Sequence, residues 1–344
     1  MNVYDILEEY LNKGKNGVLA TIVEKRGATP QVAGAKIFIG EDGKIFGTVG
    51  GGCVEAEVWQ EARKTLKTKQ AVIEHYALNG KDVENEGMIC GGDIDVFLEP
   101  VVEKYRDLYR NISYFQKKGK RAVSVTHFGE GVFYKTLSTM NGDVIGDAAG
   151  EREEIDEALF YAKAPRVLEG KIVEPVLITS TLCIYGAGHI SQFISKAART
   201  VDFNVIVMDD RAQFANRERF PEADEIIIDE FENVLTYGDP DVEVYSVIVT
   251  RGHKHDALVL GEVLQRKNRY VGMIGSKRKI NMVFDYLQQK GFDKALLKSV
   301  HAPIGLDINS ETPQEIALSI VAELVKVRGE QGVEGPPCHL PVGL

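Results

Sequence analysis

Two cysteines in the amino-terminal half stand beside glycines in a setting that favours a reactive thiol. Cys53 directly follows Gly50-Gly51-Gly52 and stands at the start of a predicted helix over 53–67. Amide groups at a helix N-terminus stabilise a thiolate, and glycines leave it sterically open. Cys90 precedes Gly91-Gly92 at the end of a polar loop, just before a predicted strand. Because a buried, inert cysteine is the usual alternative, the candidate ligand-contacting residues here are Gly51, Gly52, Cys53 and Cys90.

A second candidate site follows a predicted strand in the carboxyl-terminal half. Leu182-Cys183-Ile184-Tyr185 runs into Gly186-Ala187-Gly188-His189, the order of strand, glycine turn and helix found in nucleotide-binding βαβ units. Asp209 ends the next predicted strand, where a carboxylate can bind a ribose-like diol. Ser191 replaces the third glycine of G-x-G-x-x-G, which weakens the case for an ordinary NAD site. The alternative is a Rossmann-like domain whose pocket binds nothing.

Two further turns add positive charge at predicted strand ends. Arg251-Gly252-His253 follows one strand, and Gly275-Ser276 follows another and opens a helix with the cations of 277–279. Cations in a first helical turn oppose the helix dipole, so a bound anion would remove a local cost. Because ligands bind at the carboxyl ends of strands in open α/β sheets, Gly188, Arg251 and Ser276 are expected to form a phosphate site, with a solvated basic turn as the alternative.

The closely spaced His253, His255 and Asp256 also suggest a metal site. Two histidines two residues apart in a loop are weak evidence for one, and surface histidines are the commoner outcome.

Composition excludes several classes of protein. The 344 residues contain 41 basic and 51 acidic side chains, a net charge of -10, which argues against a general nucleic-acid or anionic-membrane binder. Four scattered cysteines predict a reducing, cytoplasmic compartment rather than a disulfide-stapled secreted domain. The first residues lack the basic and apolar regions of a signal peptide, and the uncharged run 175–195 is too polar for a membrane span.

The pattern of elements predicts two domains. A mixed α+β domain is expected over 1–165, a linker over 166–180, a Rossmann-like domain over 181–330 and a tail over 331–344. Short apolar runs that mostly alternate with helical patterns predict a doubly wound parallel sheet in the second domain. Cys183 lies within one of these runs and is predicted to belong to the core, whereas Cys338 lies in the tail.

Taken in order, these motifs resemble the XdhC/CoxI family of accessory proteins that mature xanthine and carbon monoxide dehydrogenases. The motifs that carry the resemblance are Gly50-Gly51-Gly52-Cys53-Val54-Glu55, Cys90-Gly91-Gly92, Gly186-Ala187-Gly188-His189, Asp209-Asp210-Arg211, Arg219-Phe220-Pro221, Thr250-Arg251-Gly252-His253, Ile274-Gly275-Ser276-Lys277-Arg278 and His301-Ala302-Pro303-Ile304-Gly305-Leu306-Asp307.

The resemblance implies a protein that binds molybdenum cofactor, a pterin with a dithiolene and a phosphate. A homodimer is expected, and the sequence leaves open whether the two domains meet within one chain or across the dimer. Such a protein protects the cofactor while a cysteine desulfurase-type donor sulfurates it, and delivers it to apo-xanthine dehydrogenase or a related molybdenum hydroxylase. Cys53 and Cys90 would face the metal end, with Cys53 as the candidate molybdenum contact. The candidates for the phosphate and pterin portion are Gly186, Gly188, His189, Asp209, Arg211, Arg251, His253, Gly275, Ser276, Lys277 and Arg278.

Two other functions remain open from the sequence. An NAD(P)-dependent oxidoreductase would use the Gly186 turn and Asp209, with His253 or His189 as proton donor, and would leave the cysteine turns without a role. A nucleotide-sensing regulatory protein would bind a ligand without transferring or converting it.

Overall fold

A computed structural model describes residues 2–78, 92–147, 155–236, 242, 244–266 and 268–330 of the chain. The chain divides into two compact units. The first comprises Met1–Gln116 and Arg121–Ile178, and the second comprises Lys117–Lys120 and Thr179–Leu344. Within the described ranges, no helix is both long enough and apolar enough to cross a membrane.

The first unit contains two five-stranded antiparallel sheets, with strand orders β3-β2-β1-β5-β4 and β8-β7-β6-β10-β9. The strands are β1 Gly17–Arg26, β2 Lys36–Gly40, β3 Ile45–Gly47, β4 Val72–Ala77, β5 Asp93–Val101, β6 Ala122–Gly129, β7 Val132–Thr139, β8 Val144–Gly146, β9 Arg166–Leu168 and β10 Lys171–Pro175. The helices are α1 Val3–Asn12, α2 Gly52–Thr68, α3 Arg106–Lys118 and α4 Glu157–Phe160, and a 3-10 turn covers Glu103–Tyr105.

The central strand β1 is apolar on both faces because both faces are covered by other elements. Val18 and Ala20 pack with Val58 of α2, whereas Leu19 belongs to the cluster that contains Leu7 of α1. Alternate side chains of a strand point to opposite faces, so apolar residues are needed at successive positions where both faces are covered.

The segment 166–180, predicted as a linker, is largely β-structure of the first unit. β10 pairs with β6 and with β9, and Val173 stands opposite Val125. Ile172 and Val173 are buried in different clusters, one on each side of the strand. The prediction was wrong because β9 is exposed and β10 is apolar on both sides, so neither shows the alternation of a half-buried strand. The chain leaves the first unit at Ile178.

The second unit is built on a five-stranded parallel sheet of order β13-β12-β11-β14-β15, which confirms the predicted Rossmann-like architecture. The strands are β11 Thr181–Tyr185, β12 Asn204–Asp209, β13 Glu225–Ile228, β14 Val244–Ile248 and β15 Asn268–Met273. The helices are α5 His189–Thr200, α6 His253–Val263, α7 Lys277–Gln289, α8 Lys294–Lys298 and α9 Pro313–Gly329, and a 3-10 segment covers Phe231–Thr236.

Both faces of this sheet are covered by helices. Leu182 and Ile184 of β11 pack in the cluster that includes residues of α5 and α9, and Cys183 and Tyr185 pack in the cluster of α6 and α7. Cys183 is a buried free thiol, as predicted, and burial raises its pKa to about 11. A thiol in this state is inert toward ligands at neutral pH.

Candidate functional site

The predicted turns of the second unit meet at one edge of its sheet. β11, β14 and β15 are neighbouring parallel strands, so their carboxyl ends lie side by side. Gly186–His189 directly follows β11. Arg251 stands three residues after the end of β14, and Ser276 stands three residues after the end of β15. The strand order reverses between β11 and β14, which is where open α/β sheets form their ligand crevice.

The first turn uses its two glycines differently. Gly186 has a φ of +108°, and a Cβ there would lie 2.5 Å from the carbonyl oxygen of Val249. Gly186 therefore allows the turn to pack against the end of β14. A Cβ on Gly188 would meet nothing within 4 Å, so this position opens toward free space. Ser191, in place of the third fingerprint glycine, is fully buried and donates its hydroxyl to the Gly186 carbonyl.

The first turn of α5 is suited to an anion. Gly188 is its N-cap and supplies no side-chain hydrogen bond, and the first turn of α5 contains no acidic residue. The free amide groups of an uncapped helix start carry partial positive charge and bind phosphate or carboxylate. His189, the first residue of α5, is exposed at this end.

The carboxylate of Asp209 accepts hydrogen bonds from neighbouring groups of the protein itself. Its carboxylate is 1% exposed; Oδ2 accepts from the Ala187 amide at 2.8 Å, and Oδ1 accepts from the Arg211 amide and Nε at 3.1 and 2.8 Å. These bonds tie the glycine turn to the end of β12. Both oxygens are thus occupied without the ribose diol for which the sequence nominated this residue.

Arg251 is held at the crevice by a residue that the site prediction omitted. Its guanidinium forms a bidentate pair with Asp210, with 2.6 Å between Nη2 and Oδ2. This pairing holds the pKa of Asp210 at about 2, so the carboxylate stays ionised. Arg251 is therefore fixed between the ends of β12 and β14, while its side chain remains partly exposed.

A second omitted residue, Arg219, reaches the same turn. Its Nη2 donates to the Ala187 carbonyl at 3.2 Å, and its guanidinium lies 5.2 Å from the Phe214 ring centre. The Arg211 guanidinium lies 4.0 Å from the same ring centre. The signal was present in Arg219-Phe220-Pro221, but sequence spacing alone could not place Arg219 at the Gly186 turn.

The basic turn after β15 divides into two parts. Ser276 caps α7 by accepting from the Lys279 amide at 3.3 Å, with Gly275 before it, and Lys277 and Arg278 are exposed to solvent. Lys279 instead pairs with the buried Asp256 and donates to the Ile274 carbonyl at 3.2 Å. Two of the three cations are therefore available to an anion.

The arrangement of Asp256 does not favour the suggested metal site. Its Oδ1 accepts from the Thr250 hydroxyl at 2.7 Å, and Oδ2 faces Lys279. Burial raises the pKa of Asp256, and the bonds from Lys279 and Thr250 oppose that shift. His253 is exposed at the start of α6, His255 packs against Phe231, and the described residues contain no group of three or more metal-ligating side chains.

In the first unit, the glycines near the predicted thiols contact one loop. Gly51 is the N-cap of α2, which begins at Gly52, so Cys53 stands in the first turn of a helix as expected. A Cβ on Gly50 would lie 3.5 Å from Pro30, and one on Gly92 would lie 2.6 Å from the Ala28 carbonyl oxygen. Gly92 is therefore required by close backbone packing. The Cys53 side chain and all of Cys90 lie outside the described part of the structure.

The start of α2 carries an acidic group of its own. Glu55 lies in the first turn and accepts from the Thr48 hydroxyl at 2.6 Å. A carboxylate here already complements the positive end of the helix. This helix start is thus less open to an external anion than that of α5.

Family models match both halves of the chain. Residues 182–324 match the model described as the XdhC Rossmann domain, and residues 10–77 match that of the XdhC and CoxI family.

Individual relatives align over nearly the whole chain. A Bacillus subtilis (strain 168) protein, named as a probable xanthine dehydrogenase subunit, is 26% identical over 331 residues, which cover 95% of this chain and 98% of the relative. The "Molybdenum cofactor insertion chaperone PaoD" of Escherichia coli (strain K12) is 22% identical over 324 residues, 94% of this chain and 87% of PaoD. A crystal structure described as a xanthine dehydrogenase from Bacillus halodurans is similar with a TM-score of 0.75 and 25% identity, over 98% of both chains.

Proposed function

The chain belongs to the XdhC and CoxI family, and from this premise we propose that it serves in the maturation of a xanthine dehydrogenase-type molybdenum hydroxylase. In this proposal it binds the molybdenum cofactor, protects it while a sulfur donor of the cysteine desulfurase type sulfurates it, and delivers it to the apo-enzyme. The names of the Bacillus subtilis relative and of PaoD support this role.

The observation that carries the proposal is the group of turns with positive or uncapped helix starts at the carboxyl edge of the parallel sheet, which we propose to be an anion site. The start of α5 has neither a side-chain cap nor an acidic residue in its first turn, and the start of α7 presents Lys277 and Arg278. Arg251, which follows β14, extends its side chain to Asp210 at the end of β12. In a chain of net charge -10, such a local concentration of positive groups favours a specific anion rather than a polyanion. The terminal phosphate of the cofactor has the charge and size that uncapped helix starts bind.

For the metal end of the cofactor, the proposal assigns a thiolate. Cys53 stands in the first turn of α2, where backbone amides favour the ionised thiol. Thiolates are soft ligands, which suits a metal already bound through dithiolene sulfur. Cys53 is the proposed molybdenum contact, with Cys90 as the second candidate.

The nicotinamide alternative is less well supported. Ribose recognition would need free carboxylate oxygens at the end of β12, and those of Asp209 accept hydrogen bonds from Ala187 and Arg211.

The proposal also includes the expected oligomeric state, a homodimer.

The test is anaerobic titration with isolated molybdenum cofactor, followed by transfer to an apo-hydroxylase. The expected result is about one cofactor bound per chain and recovery of hydroxylase activity on mixing. Cys53→Ala should weaken retention or transfer, whereas Cys183→Ala, which removes the buried thiol, serves as the matched control. Failure of the wild-type protein to bind the cofactor under reducing conditions, together with binding and oxidation of NADH, would reject the proposal.

A further inference from the structure

A histidine outside the anion site extends the same sheet by one residue. His301 forms a parallel bridge with Gly272 of β15: its amide donates to the Val271 carbonyl at 2.9 Å, and its carbonyl accepts from the Met273 amide at 3.0 Å. Met273 is the last residue of β15, and the Ser276 turn follows three residues later. His301 is thus at the carboxyl edge of the sheet, beyond β15.

The orientation of the imidazole is fixed by a carboxylate from α9. Oε1 of Glu323 lies 3.0 Å from Nδ1 of His301, while Oε2 accepts from the Tyr270 hydroxyl and from the Gly305 amide at 2.8 Å. Burial acts to raise the pKa of Glu323, but the bonds from His301, Tyr270 and Gly305 outweigh it and leave the pKa lowered. An ionised carboxylate only accepts hydrogen bonds, so Nδ1 carries a proton, and in the neutral tautomer with this proton the lone pair is on Nε2.

The ring is available to a ligand. The His301 side chain is 37% exposed, compared with 13% for Glu323. The Tyr270 ring packs against it, with 4.5 Å between ring centres. Among the described residues, no group forms a hydrogen bond with Nε2. A positioned, partly exposed acceptor of this kind is the arrangement by which a histidine binds or accepts a proton from a ligand.

His301 lies on the same face of the sheet as the α5 turn. Tyr270 belongs to the apolar cluster that contains Ile194 of α5 and Ile320 of α9. Across the sheet, the distance from β11 through β14 and β15 to His301 is three strand spacings. At ~4.8 Å each, this is roughly 14 Å. A ligand whose phosphate binds at the α5 turn and lies across β14 would therefore direct its other end toward His301.

We propose that His301, positioned by Glu323, accepts a hydrogen bond from an N–H group on the heterocyclic end of the ligand whose phosphate occupies the anion site. This inference rests on the proposed function, because it assigns the far end of the same ligand. A pterin ring suits the acceptor, since its amide and amine groups are N–H donors. His301 is then a second recognition point, for the ring rather than for the charge.

Two ligands test the anion site and the His301 contact separately. Inorganic phosphate tests the anion site alone, and dihydroneopterin monophosphate, a pterin with a phosphate ester, tests both ends in calorimetric titrations of the full chain. His301→Phe is expected to weaken binding of the pterin ester about tenfold, as for loss of one hydrogen bond within a site, and to leave phosphate affinity unchanged. Glu323→Gln should act in the same way, because an amide can donate to Nδ1 and leave the proton on Nε2.

The controls distinguish recognition from folding. His301→Gln keeps an acceptor oxygen and should retain most of the affinity for the pterin ester. His75→Phe removes a histidine that also pairs with a carboxylate, Asp95 at 2.7 Å, in the first unit, and should leave both affinities unchanged. Unchanged pterin-ester affinity in His301→Phe would overturn the inference, and so would an equal loss for both probes. If the wild-type protein bound neither probe, the anion site of the proposed function would itself be rejected.

Discussion

The glycine turns at 50–52 and 186–188 both lead into an α-helix, but the two helices differ in the charge of their first turns. The first turn of α2 contains Glu55, which forms a hydrogen bond with Thr48, whereas the first turn of α5 contains no acidic residue. An external anion is therefore favoured at α5, and the start of α2 is left to the thiol of Cys53. By this comparison, a glycine turn before a helix is better suited to an external anion where the protein supplies no carboxylate of its own in the first turn.

The largest effect on stability is expected for a substitution in the glycine turn before α5, where the two glycines have different roles. Gly186→Ala places a Cβ 2.5 Å from the Val249 carbonyl at a φ of +108°, and it should destabilise the protein by roughly 3 kcal/mol or more. Gly188→Ala faces open space and should change stability by less than about 1 kcal/mol. Urea unfolding measures both. Equal stabilities of the two variants would show that Gly186 is not required by packing.

A pH-dependent effect of intermediate size is expected from Asp210. Its folded-state pKa of about 2 lies below the ordinary value because Arg251 binds the carboxylate. A depressed pKa adds stability above the unfolded-state pKa near 4, and that stability is lost as the pH falls toward 2. Because Arg251 is partly exposed and solvent screens the pair, Asp210→Asn should cost roughly 1 kcal/mol at pH 7. Chemical denaturation across this range measures the difference, which should shrink as the pH falls. A difference that stays constant between pH 7 and pH 2 would contradict the ion pair.

The smallest effect is expected at α2. Glu55→Gln removes a negative charge from the helix start that carries Cys53, and it should increase the alkylation rate of Cys53 at neutral pH by about twofold. Iodoacetamide labelling followed by peptide mass spectrometry measures this rate. The buried Cys183 should be labelled slowly in both proteins and serves as the internal reference. A slower reaction in Glu55→Gln would mean that the carboxylate assists the thiol instead of opposing it.

The sequence predicted the parallel sheet and its turns well because buried parallel strands are continuous apolar runs with a strong local signal. It could not supply the partners of the side chains. The position of Asp209 at a strand end suggested a diol ligand, but Arg211 and Ala187 occupy its carboxylate. Arg219 reaches Ala187 across more than thirty residues of chain, a contact that only the folded structure brings about.

The glycines show a similar limit to prediction. Gly186 and Gly92 are required where backbones pack closely, whereas Gly188 leaves free space at a helix start. Sequence composition cannot separate these roles, since both need a residue without a side chain. The strands β9 and β10 were missed for a related reason, because a short exposed strand and a strand buried on both sides lack a distinct period.

The most direct test of the proposed anion site is a charge reversal at the start of α7, measured by anaerobic titration with isolated molybdenum cofactor. Lys277→Glu with Arg278→Glu should abolish measurable binding without lowering the unfolding midpoint, because both side chains are exposed and carboxylates are favourable at a helix start. Lys290→Glu with Lys294→Glu makes the same change in charge beyond the opposite end of α7 and should bind like the wild-type protein. Wild-type affinity in the Lys277/Arg278 variant would contradict the assignment of the cofactor phosphate to this edge of the sheet.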